Sequence, residues 1–334
     1  MLRRLIGISA VFAFLAVSTV AEAQNGTLFR IGTGGIGGTY YPVGQTIAGI
    51  IGNPPGSRPC NEGGTCGVQG MTAVALTSLG SVAIVAGIVE GRLEAGFVQS
   101  DVAFWAHRGI GIFEGKAPMK GLRVIASLYP ESIHVVARRK SGIKTLEDLK
   151  GRAVSLGART SGTLVDAWIV LSLAGIDEKS GVKARYLSPD IAAAKVIAGE
   201  LDAFFAVAGF PSQNVSRVVS SGHAEVLPID GPAVDIALLE YGFLSRGKIP
   251  AGTYNNEAEI ATLNVSALMV VSERLPADIV YTITQSLWRE EAQRLLSNGH
   301  PKAKLVTLHT ALDGIGIPLH EGAIRYYKEA GKLK

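Results

Sequence analysis

The stretch GTGGIGGTYYP, residues 32–42, decides the fold. An apolar segment before it, residues 27–31, predicts a strand, and the segment after it, residues 41–51, predicts a helix. Glycines at such a turn allow backbone N–H groups at a helix start to approach an anion closely. We therefore predict a ligand-binding turn, with a tight turn that holds no ligand as the alternative. Its candidate residues are Thr33, Gly34, Gly35, Tyr40 and Tyr41.

The N-terminus shows the three parts of a secretory signal peptide in order. Positions 3 and 4 are arginines, residues 5–20 form an uncharged apolar run, and residues 21–23 read Ala-Glu-Ala, an A-x-A cleavage site. A membrane anchor is the alternative, but the run is short for a span and small or polar residues interrupt it. We predict that residues 1–23 are removed and that the mature protein is periplasmic.

The composition is typical of a globular protein, with 47% hydrophobic and 18% charged residues. The formal net charge of +4 is small, and the charges are evenly spread, so nucleic acid is not an expected partner. The chain after residue 23 is long enough for two lobes with separate cores. It contains no uncharged apolar run long enough to cross a bilayer.

The two cysteines lie six positions apart in a loop rich in glycine, proline and asparagine. In an exported chain, Cys60 and Cys66 predict a disulfide that closes this loop. A metal site is the alternative, but the six histidines are scattered and none has ligand spacing to the cysteines. We expect no metal.

Strand-like and helix-like segments alternate along the whole chain, which predicts an α/β fold with doubly wound parallel sheets. Tyr129-Pro130-Glu131-Ser132 separates two predicted strands, residues 122–128 and 134–138. We place the limits of the lobes there and near residues 228–232, so that residues 24–128 and 232–334 form lobe 1 and residues 129–231 form lobe 2. The two crossings between the lobes form the hinge. We also predict a short helix over residues 146–150, capped by Thr145, and a long helix over residues 277–297.

Further turns after predicted strands carry small and hydroxyl residues. In an open parallel sheet, ligands bind beyond the carboxyl ends of the strands, where helix N-termini point. Ser81 has helix capping as its alternative, and Arg159, which can pair with a carboxylate, has the alternative of an ordinary surface arginine. The candidate ligand-binding residues at these turns are Ser78, Ser81, Gln99, Ser100, Asp101, Arg159, Ser161, Gly162, Thr163 and Gly209.

Motifs for catalysis and for cofactors are missing or incomplete. The literal G-x-G-x-x-G of residues 32–37 lacks the acidic residue expected about 20 positions later, so we expect no dinucleotide cofactor. The sequence has no G-x-S-x-G, H-E-x-x-H or Walker A motif. Its S-x-x-K at residues 141–144 stands without the S-D-N and K-T-G partners of acyl transfer. We predict that the protein binds a solute and is not an enzyme.

The chain resembles the solute receptors of the TAXI family, the TRAP-associated extracytoplasmic immunogenic proteins. The stretches that carry the resemblance are IGTGGIGGTYYP (31–42), NPPGSRPCNEGGTC (53–66), GSVA (80–83), QSDVA (99–103), LYPE (128–131), SGIKTLEDLKG (141–151), LDAFF (201–205), IPAGTY (249–254) and HEGAIRYY (320–327).

That resemblance implies a type II periplasmic-binding-protein fold, with two doubly wound lobes joined by a two-strand hinge. It also implies delivery of ligand to the membrane subunits of a TRAP permease, and acidic ligands such as glutamate-like amino acids and dicarboxylates. Leu79 and Ile84 replace asparagines usual in the family, and the Arg159 turn adds a cation, so we predict a more anionic or larger ligand. We expect a monomer. The alternative function is a binding protein that feeds a membrane sensor rather than a permease.

Overall fold

The computed structural model of the protein describes residues 26–177 and 180–334. The predicted signal peptide and its cleavage site lie outside the described residues. Within the described ranges, no helix combines the length and the apolar character that a membrane crossing requires.

The described ranges hold twelve β-strands and ten α-helices. The strands are β1 (Thr27–Thr33), β2 (Gly52–Asn53), β3 (Val68–Gln69), β4 (Met71–Thr77), β5 (Ala95–Gln99), β6 (Leu122–Arg138), β7 (Ala153–Ser155), β8 (Lys183–Arg185), β9 (Ala203–Ala208), β10 (Ala224–Leu227), β11 (Ser245–Ile249) and β12 (Ile260–Ser272). The helices are α1 (Tyr40–Ile51), α2 (Ser81–Val89), α3 (Ser100–Arg108), α4 (Gly162–Leu173), α5 (Pro189–Ile197), α6 (Gln213–Ser220), α7 (Pro232–Glu240), α8 (Ala277–Leu287), α9 (Glu290–Asn298) and α10 (Glu321–Glu329).

Ten strands form one mixed sheet in the order β4-β1-β5-β12-β6-β9-β7-β8, with β10 paired to β6 and β11 paired to β12. The strands β4, β1 and β5 run parallel at one end, and β9, β7 and β8 run parallel at the other. Between them, β12 is antiparallel to both β5 and β6. The alternation of strands and helices in the sequence therefore predicted the α/β class and the parallel parts of the sheet correctly.

The predicted break at residues 129–132 is wrong, because β6 runs through it as one strand of 17 residues. Pro130 and the polar residues beside it are typical turn signals, which favoured a break. In the structure, residues 129–132 pair in continuous register with residues 264–267 of β12, and the two register shifts of this pairing lie outside the segment. Tertiary pairing thus overrides the local signal.

The strands β6 and β12 join the two ends of the sheet. Residues 122–132 of β6 pair with β12, residues 132–137 pair with β9, and residues 135–138 pair with β10. The last residues of β12 pair with β5, whereas its first residues pair with β11. The lobe limits given above stay a prediction. We use "first half" for the part of the molecule around β1, β4 and β5, and "second half" for the part around β7, β8 and β9.

Two predicted helices are also corrected. Residues 277–297 form two helices, α8 and α9, because Arg289 takes an extended conformation at the start of α9. Residues 146–150 contain only a short 3-10 helix, Glu147–Leu149. Thr145 does not cap it; instead, the backbone N–H groups of Lys144 and Thr145 donate to Asp148 Oδ2, at 2.9 and 3.0 Å.

The predicted disulfide is confirmed: Cys60 and Cys66 are bonded, with their Cα atoms 4.8 Å apart. The loop that they close is held against α8, where Ser286 Oγ donates to the carbonyl of Cys66 at 3.0 Å. In the part of the chain that the structure describes, no group of three or more His, Cys, Asp or Glu side chains is arranged to hold a metal ion.

Glycine in β5 sets the position of α2 on the sheet. A Cβ atom on Gly96 would lie 2.1 Å from Ile84 Cγ2, so only glycine allows this side chain of α2 to reach the strand. Ile84 is fully buried as a result. This close packing places the start of α2 directly above the carboxyl ends of β1 and β5.

Candidate ligand-binding site

The carboxyl ends of the two parallel sets of strands face each other, and three pairs of turns meet there. In the first pair, Thr39 Oγ1 at the start of α1 donates to the carbonyl of Gly209 after β9, at 3.2 Å, and both residues are buried. The glycine-rich turn of the first half therefore contacts the turn predicted at Gly209. Thr33, at the end of β1, is fully buried, and its hydroxyl donates to the carbonyl of Leu76 at 2.8 Å.

The second pair joins the turn before α2 to the turn before α4. The N–H of Ala83 donates to the carbonyl of Thr160 at 3.1 Å. A Cβ atom on Gly80, whose φ is +114°, would lie 2.9 Å from Ser161 Cα. Ser78 supports this turn, since its hydroxyl donates to the carbonyl of Thr33 at 2.7 Å and accepts from the N–H of Gly80 at 3.1 Å.

The third pair centres on Gln99, at the end of β5. Its amide Nε2 donates to Asp166 Oδ2 on α4 at 2.5 Å, and its backbone N–H donates to Ser81 Oγ at 3.1 Å. Gly162 lies so close that a Cβ atom there would fall 1.6 Å from Gln99 Oε1. The predicted residues Ser81, Gln99 and Gly162 are therefore brought together, although they come from different halves of the molecule.

Three buried carboxyl groups lie at this interface: Asp101 on α3, Glu131 on β6 and Asp166 on α4. We call them the acidic cluster. Asp101 and Asp166 are fully buried, and Glu131 is 2% exposed. Tyr40, on α1, donates its hydroxyl hydrogen to Glu131 Oε2 at 2.5 Å.

Burial raises the pKa of every member of the acidic cluster. The pKa of Glu131 rises to about 8, mainly through burial, while the hydrogen bond from Tyr40 lowers it and the charge of Asp101 raises it. The pKa of Asp101 rises to about 7 through burial, against the opposing effect of the backbone amides at the start of α3. Burial and then the charge of Asp101 hold the pKa of Asp166 well above its usual value. At neutral pH, the cluster therefore retains protons that exposed carboxyls would lose.

Lys302 is the cation that faces the acidic cluster. It is 5% exposed, and its ammonium nitrogen lies 3.4 Å from the ring centroid of Phe210. Burial lowers its pKa to about 8, and the charge of Glu131 acts in the opposite direction. Lys302 thus lies near Glu131, in an interface whose three carboxyl groups retain protons at neutral pH.

Several polar atoms of this interface have no hydrogen-bond partner among the described residues. They are both carboxyl oxygens of Asp101, Asp166 Oδ1 and the hydroxyl of Tyr129. Tyr129 is 2% exposed, and burial together with the charge of Glu131 raises its pKa. A buried polar atom without a hydrogen-bond partner costs about 1–3 kcal/mol of folding free energy. A group of such atoms at one place is therefore more typical of a ligand-binding site than of a purely structural region.

Not every predicted residue lies at this interface. The guanidinium of Arg159 is exposed and stacks on Tyr186, with Cζ 3.7 Å from the ring centroid. Tyr41 is half-buried, and its hydroxyl accepts from Gln45 Nε2 at 3.3 Å. Ser100 Oγ accepts from the N–H of Ser266 at 3.1 Å, which ties α3 to β12.

Three further predicted residues, in the turns before α1 and α4, differ in how deeply they are buried. Gly35 is exposed and Gly34 half-buried, whereas Thr163 is buried at the start of α4. A role in binding for the predicted residues stays a prediction.

Four residues of this interface were not predicted from the sequence: Tyr129, Glu131, Asp166 and Lys302. Asp166 had a signal, because it is the one charged residue in the α4 sequence GTLVDAWIVLSL. Glu131 and Tyr129 were assigned to a break between strands. Lys302 had no signal, since it sits among other charged and small residues in a short 3-10 helix, Pro301–Leu305.

Opposed turns at the carboxyl ends of two sets of parallel strands, with two strands crossing between them, define the class of two-lobed α/β solute-binding proteins. The chain belongs to the NMT1-like family, whose model matches residues 31–331. Its family and fold are those of solute-binding proteins and not of enzymes.

Solved structures agree on this fold. The chain is similar to PhnD1 from Prochlorococcus marinus in complex with methylphosphonate, with a TM-score of 0.51 and 12% identity over 92% of this chain and 99% of that one. A ligand-binding component of an ABC-type import system from Staphylococcus aureus, with zinc bound, gives a TM-score of 0.50 and 9% identity over 92% and 94% of the two chains. A protein from Bordetella bronchiseptica RB50 gives 0.50 and 14% over 92% and 99%. These matches confirm the periplasmic-binding-protein fold.

The expectation that the chain is a TAXI receptor is wrong. The expectation of a TRAP permease as its partner depended on that family and loses its support. The matching family model is the NMT1-like one, and the similar structures are of other binding proteins, one of them from an ABC-type import system. Three of the quoted motifs, at residues 31–42, 80–83 and 99–103, misled because they lie at strand-to-helix turns. Such turns require glycine and small residues in any fold of this class, whatever the transporter.

Proposed function

We propose that the protein is an extracytoplasmic solute-binding protein, exported by its N-terminal segment, that captures a small polar solute between its two halves. The observation that carries this proposal is the group of unpartnered buried polar atoms at the meeting point of the three turn pairs. Both halves contribute, with Gln99 and Asp101 from one and Asp166 from the other. A ligand at this place contacts both halves only when they are closed.

Closure about β6 and β12 is the expected mechanism. A ligand shifts the balance between open and closed forms by its difference in affinity for the two, so contacts made only in the closed form drive the change. The hydrogen bonds from Thr39 to Gly209 and from Gln99 to Asp166 belong to that closed form. They are the contacts that opening breaks.

We further propose that the closed protein hands its solute to a membrane importer. The similar structure from Staphylococcus aureus is a component of an ABC-type import system, so an importer of that type is the first partner to test. The carboxylate ligand expected from the sequence depended in part on Arg159, which is exposed and stacked on Tyr186. Helix starts at α1 and α4 still offer backbone amides for an anionic group.

A thermal-shift screen tests the binding function. The panel contains amino acids, amines, keto acids, dicarboxylates, sulfonates and phosphonates. A ligand at 100 times its Kd is expected to stabilise the protein by about 2.7 kcal/mol. Small-angle X-ray scattering then compares the radius of gyration with and without the ligand. A smaller radius with ligand supports closure, and a panel without any stabilising compound contradicts the proposed function.

A further inference from the structure

The acidic cluster has more carboxyl groups than the protein itself satisfies. Asp101 Oδ1 and Oδ2 have no hydrogen-bond partner in the described chain, and Asp166 uses only Oδ2, which accepts from Gln99. Two fully buried aspartates, one from each half of the molecule, thus present three carboxyl oxygens without a side-chain or well-aligned backbone hydrogen bond from the described residues. Acceptors of this kind call for a donor.

A second observation, independent of the carboxylates, points to the same place. The hydroxyl of Tyr129 is buried and also has no partner among the described residues. The charge of Glu131 raises the pKa of Tyr129, and the charge of Tyr129 raises the pKa of Tyr40, so the three side chains lie close together. Since Tyr40 already donates to Glu131, the Tyr129 hydroxyl is an additional polar contact that the protein leaves open.

From these contacts we infer that the ligand carries a cationic N–H donor group, an ammonium or an amidinium, which Asp101 and Asp166 receive together between the two halves. This inference rests on the proposed function and names the ligand chemistry of that site. An N–H cation supplies two or three donors at once, which matches the open acceptors of the two aspartates. A bound cation also favours the ionised carboxylates over the protonated forms that burial favours in the free protein.

Two other occupants fit less well. A metal ion would need several carboxyl oxygens around one point, and no such group of three His, Cys, Asp or Glu side chains exists in residues 26–177 and 180–334. A dicarboxylate would place two more acceptors beside carboxyl oxygens that already lack donors, and its charge would oppose ionisation of the cluster further. The donor-rich end of a ligand is the one that suits Asp101 and Asp166.

A set of four-carbon compounds with the same chain length tests the inference by thermal shift and titration calorimetry. The compounds with an ammonium group are putrescine and the zwitterion γ-aminobutyrate, the uncharged control is 1,4-butanediol, and the anion is succinate. Agmatine, L-arginine and glycine betaine extend the set, the last because its quaternary ammonium group has no N–H donor. We expect stabilisation by at least one compound with an N–H cation, and none by butanediol, succinate or betaine.

The other outcomes separate the two proposals. Stabilisation by succinate and not by any amine would overturn the cationic ligand and leave the binding function intact. No stabilisation by any compound of this set or of the wider panel would count against both.

Asp101→Asn is the variant that tests the assigned residue, using the amine that binds. Because the two oxygens have no partner in the protein, we expect the variant to be at least as stable as the wild type, yet to bind the amine at least tenfold more weakly. Asp148→Asn is the matched control, since Asp148 is exposed and accepts from the backbone amides of Lys144 and Thr145 in its own turn. Unchanged affinity in Asp101→Asn, with circular dichroism showing a folded protein, would overturn the assignment.

Discussion

Two groups of buried polar side chains lie beside β6, one around His134 and the other around Glu131. They differ in whether their hydrogen bonds are satisfied within the protein. In the first, His134 Nε2 lies 3.0 Å from the hydroxyl of Tyr254, and His134 Nδ1 lies 3.3 Å from the carbonyl of Ala206. The same hydroxyl accepts from the N–H of Ser212 at 2.8 Å. Burial lowers the pKa of His134 to about 4, so this group is neutral at physiological pH.

The second group is the acidic cluster, where carboxyl oxygens and a tyrosine hydroxyl lack partners in the described chain. Both groups are buried, and both lie next to the strands that cross between the halves. The first satisfies its own hydrogen bonds and therefore supports the scaffold, whereas the second leaves acceptors for another molecule. We therefore expect the satisfaction of polar atoms, more than burial, to separate structural from binding residues in this protein.

The largest expected difference between the two groups is in their response to pH. The carboxyls of Asp101 and Glu131 have a pKa of about 7 and about 8 in the folded protein, above their unfolded values. Between about pH 4.5 and 8 the folded state therefore holds more protons than the unfolded state, and its stability falls as pH rises. The effect is on the order of 4 kcal/mol for each carboxyl. Urea unfolding without ligand at pH 5 and pH 8 measures it.

Lys302 and one variant sharpen this test. The pKa of Lys302 is lowered to about 8, so its own cost is constant below that pH and is relieved only between about 8 and 10.5. Glu131→Gln is expected to make the fall from pH 5 to 8 shallower. Asp148→Asn is the control, because the pKa of exposed Asp148 is lowered, which affects only the acid range. A stability that rises from pH 5 to pH 8 would contradict the buried, protonated cluster.

Gly162→Ala is expected to weaken contact between the halves. Its Cβ would overlap the Gln99 amide, which the hydrogen bond to Asp166 holds in place. Such overpacking costs about 1–3 kcal/mol, and the variant is expected to bind its ligand at least tenfold more weakly and to show a larger radius of gyration by X-ray scattering. Gly49→Ala is the matched control, since nothing lies within 4 Å of a Cβ there. Equal affinity and radius in the two variants would contradict closure at Gln99.

Two tyrosine variants compare the groups directly. Tyr254→Phe leaves the N–H of Ser212 and His134 Nε2 without their partner, which is expected to cost about 1–3 kcal/mol of unfolding free energy. Tyr129→Phe removes a hydroxyl that has no partner in the described residues, so its stability is expected to change by less than about 0.5 kcal/mol or to rise. Urea denaturation measures both. Equal losses in the two variants would remove the distinction between the groups.

Arg159→Ala is expected to have the smallest effect. Its guanidinium stacks on the exposed face of Tyr186, a contact worth about 0.5–1 kcal/mol. We expect unfolding free energy to fall by about that amount and ligand affinity to change less than threefold. Calorimetry decides, because a loss of tenfold or more would restore Arg159 to the binding site predicted from the sequence.

Much of the fold could be predicted from the sequence, because alternation of strands and helices and glycine-rich turns are local signals. The continuity of β6 could not, since Pro130 and Glu131 resemble a turn and only pairing with β12 makes them part of a strand. Local signals also explain which residues of the candidate site were predicted. Ser81, Gln99 and Asp101 lie at or just after the ends of strands, where the rule for parallel sheets expects ligands to bind.

Asp166 and Lys302 reach the same place from elsewhere in the chain, and only tertiary structure shows that they meet. The motifs also suggested the wrong family, because turn sequences shared by a fold class do not separate its members.

The two strands that cross between the halves are hydrogen-bonded to each other from Leu122 to Ser132 and from Asn264 to Ser272. A paired ribbon resists sliding and twisting more than two separate linkers would, so it bends mainly in one direction. If the halves open and close as proposed, that motion follows a single path, and each closed molecule presents the same face to a membrane importer. A transporter that receives this protein would need to recognise only one bound shape.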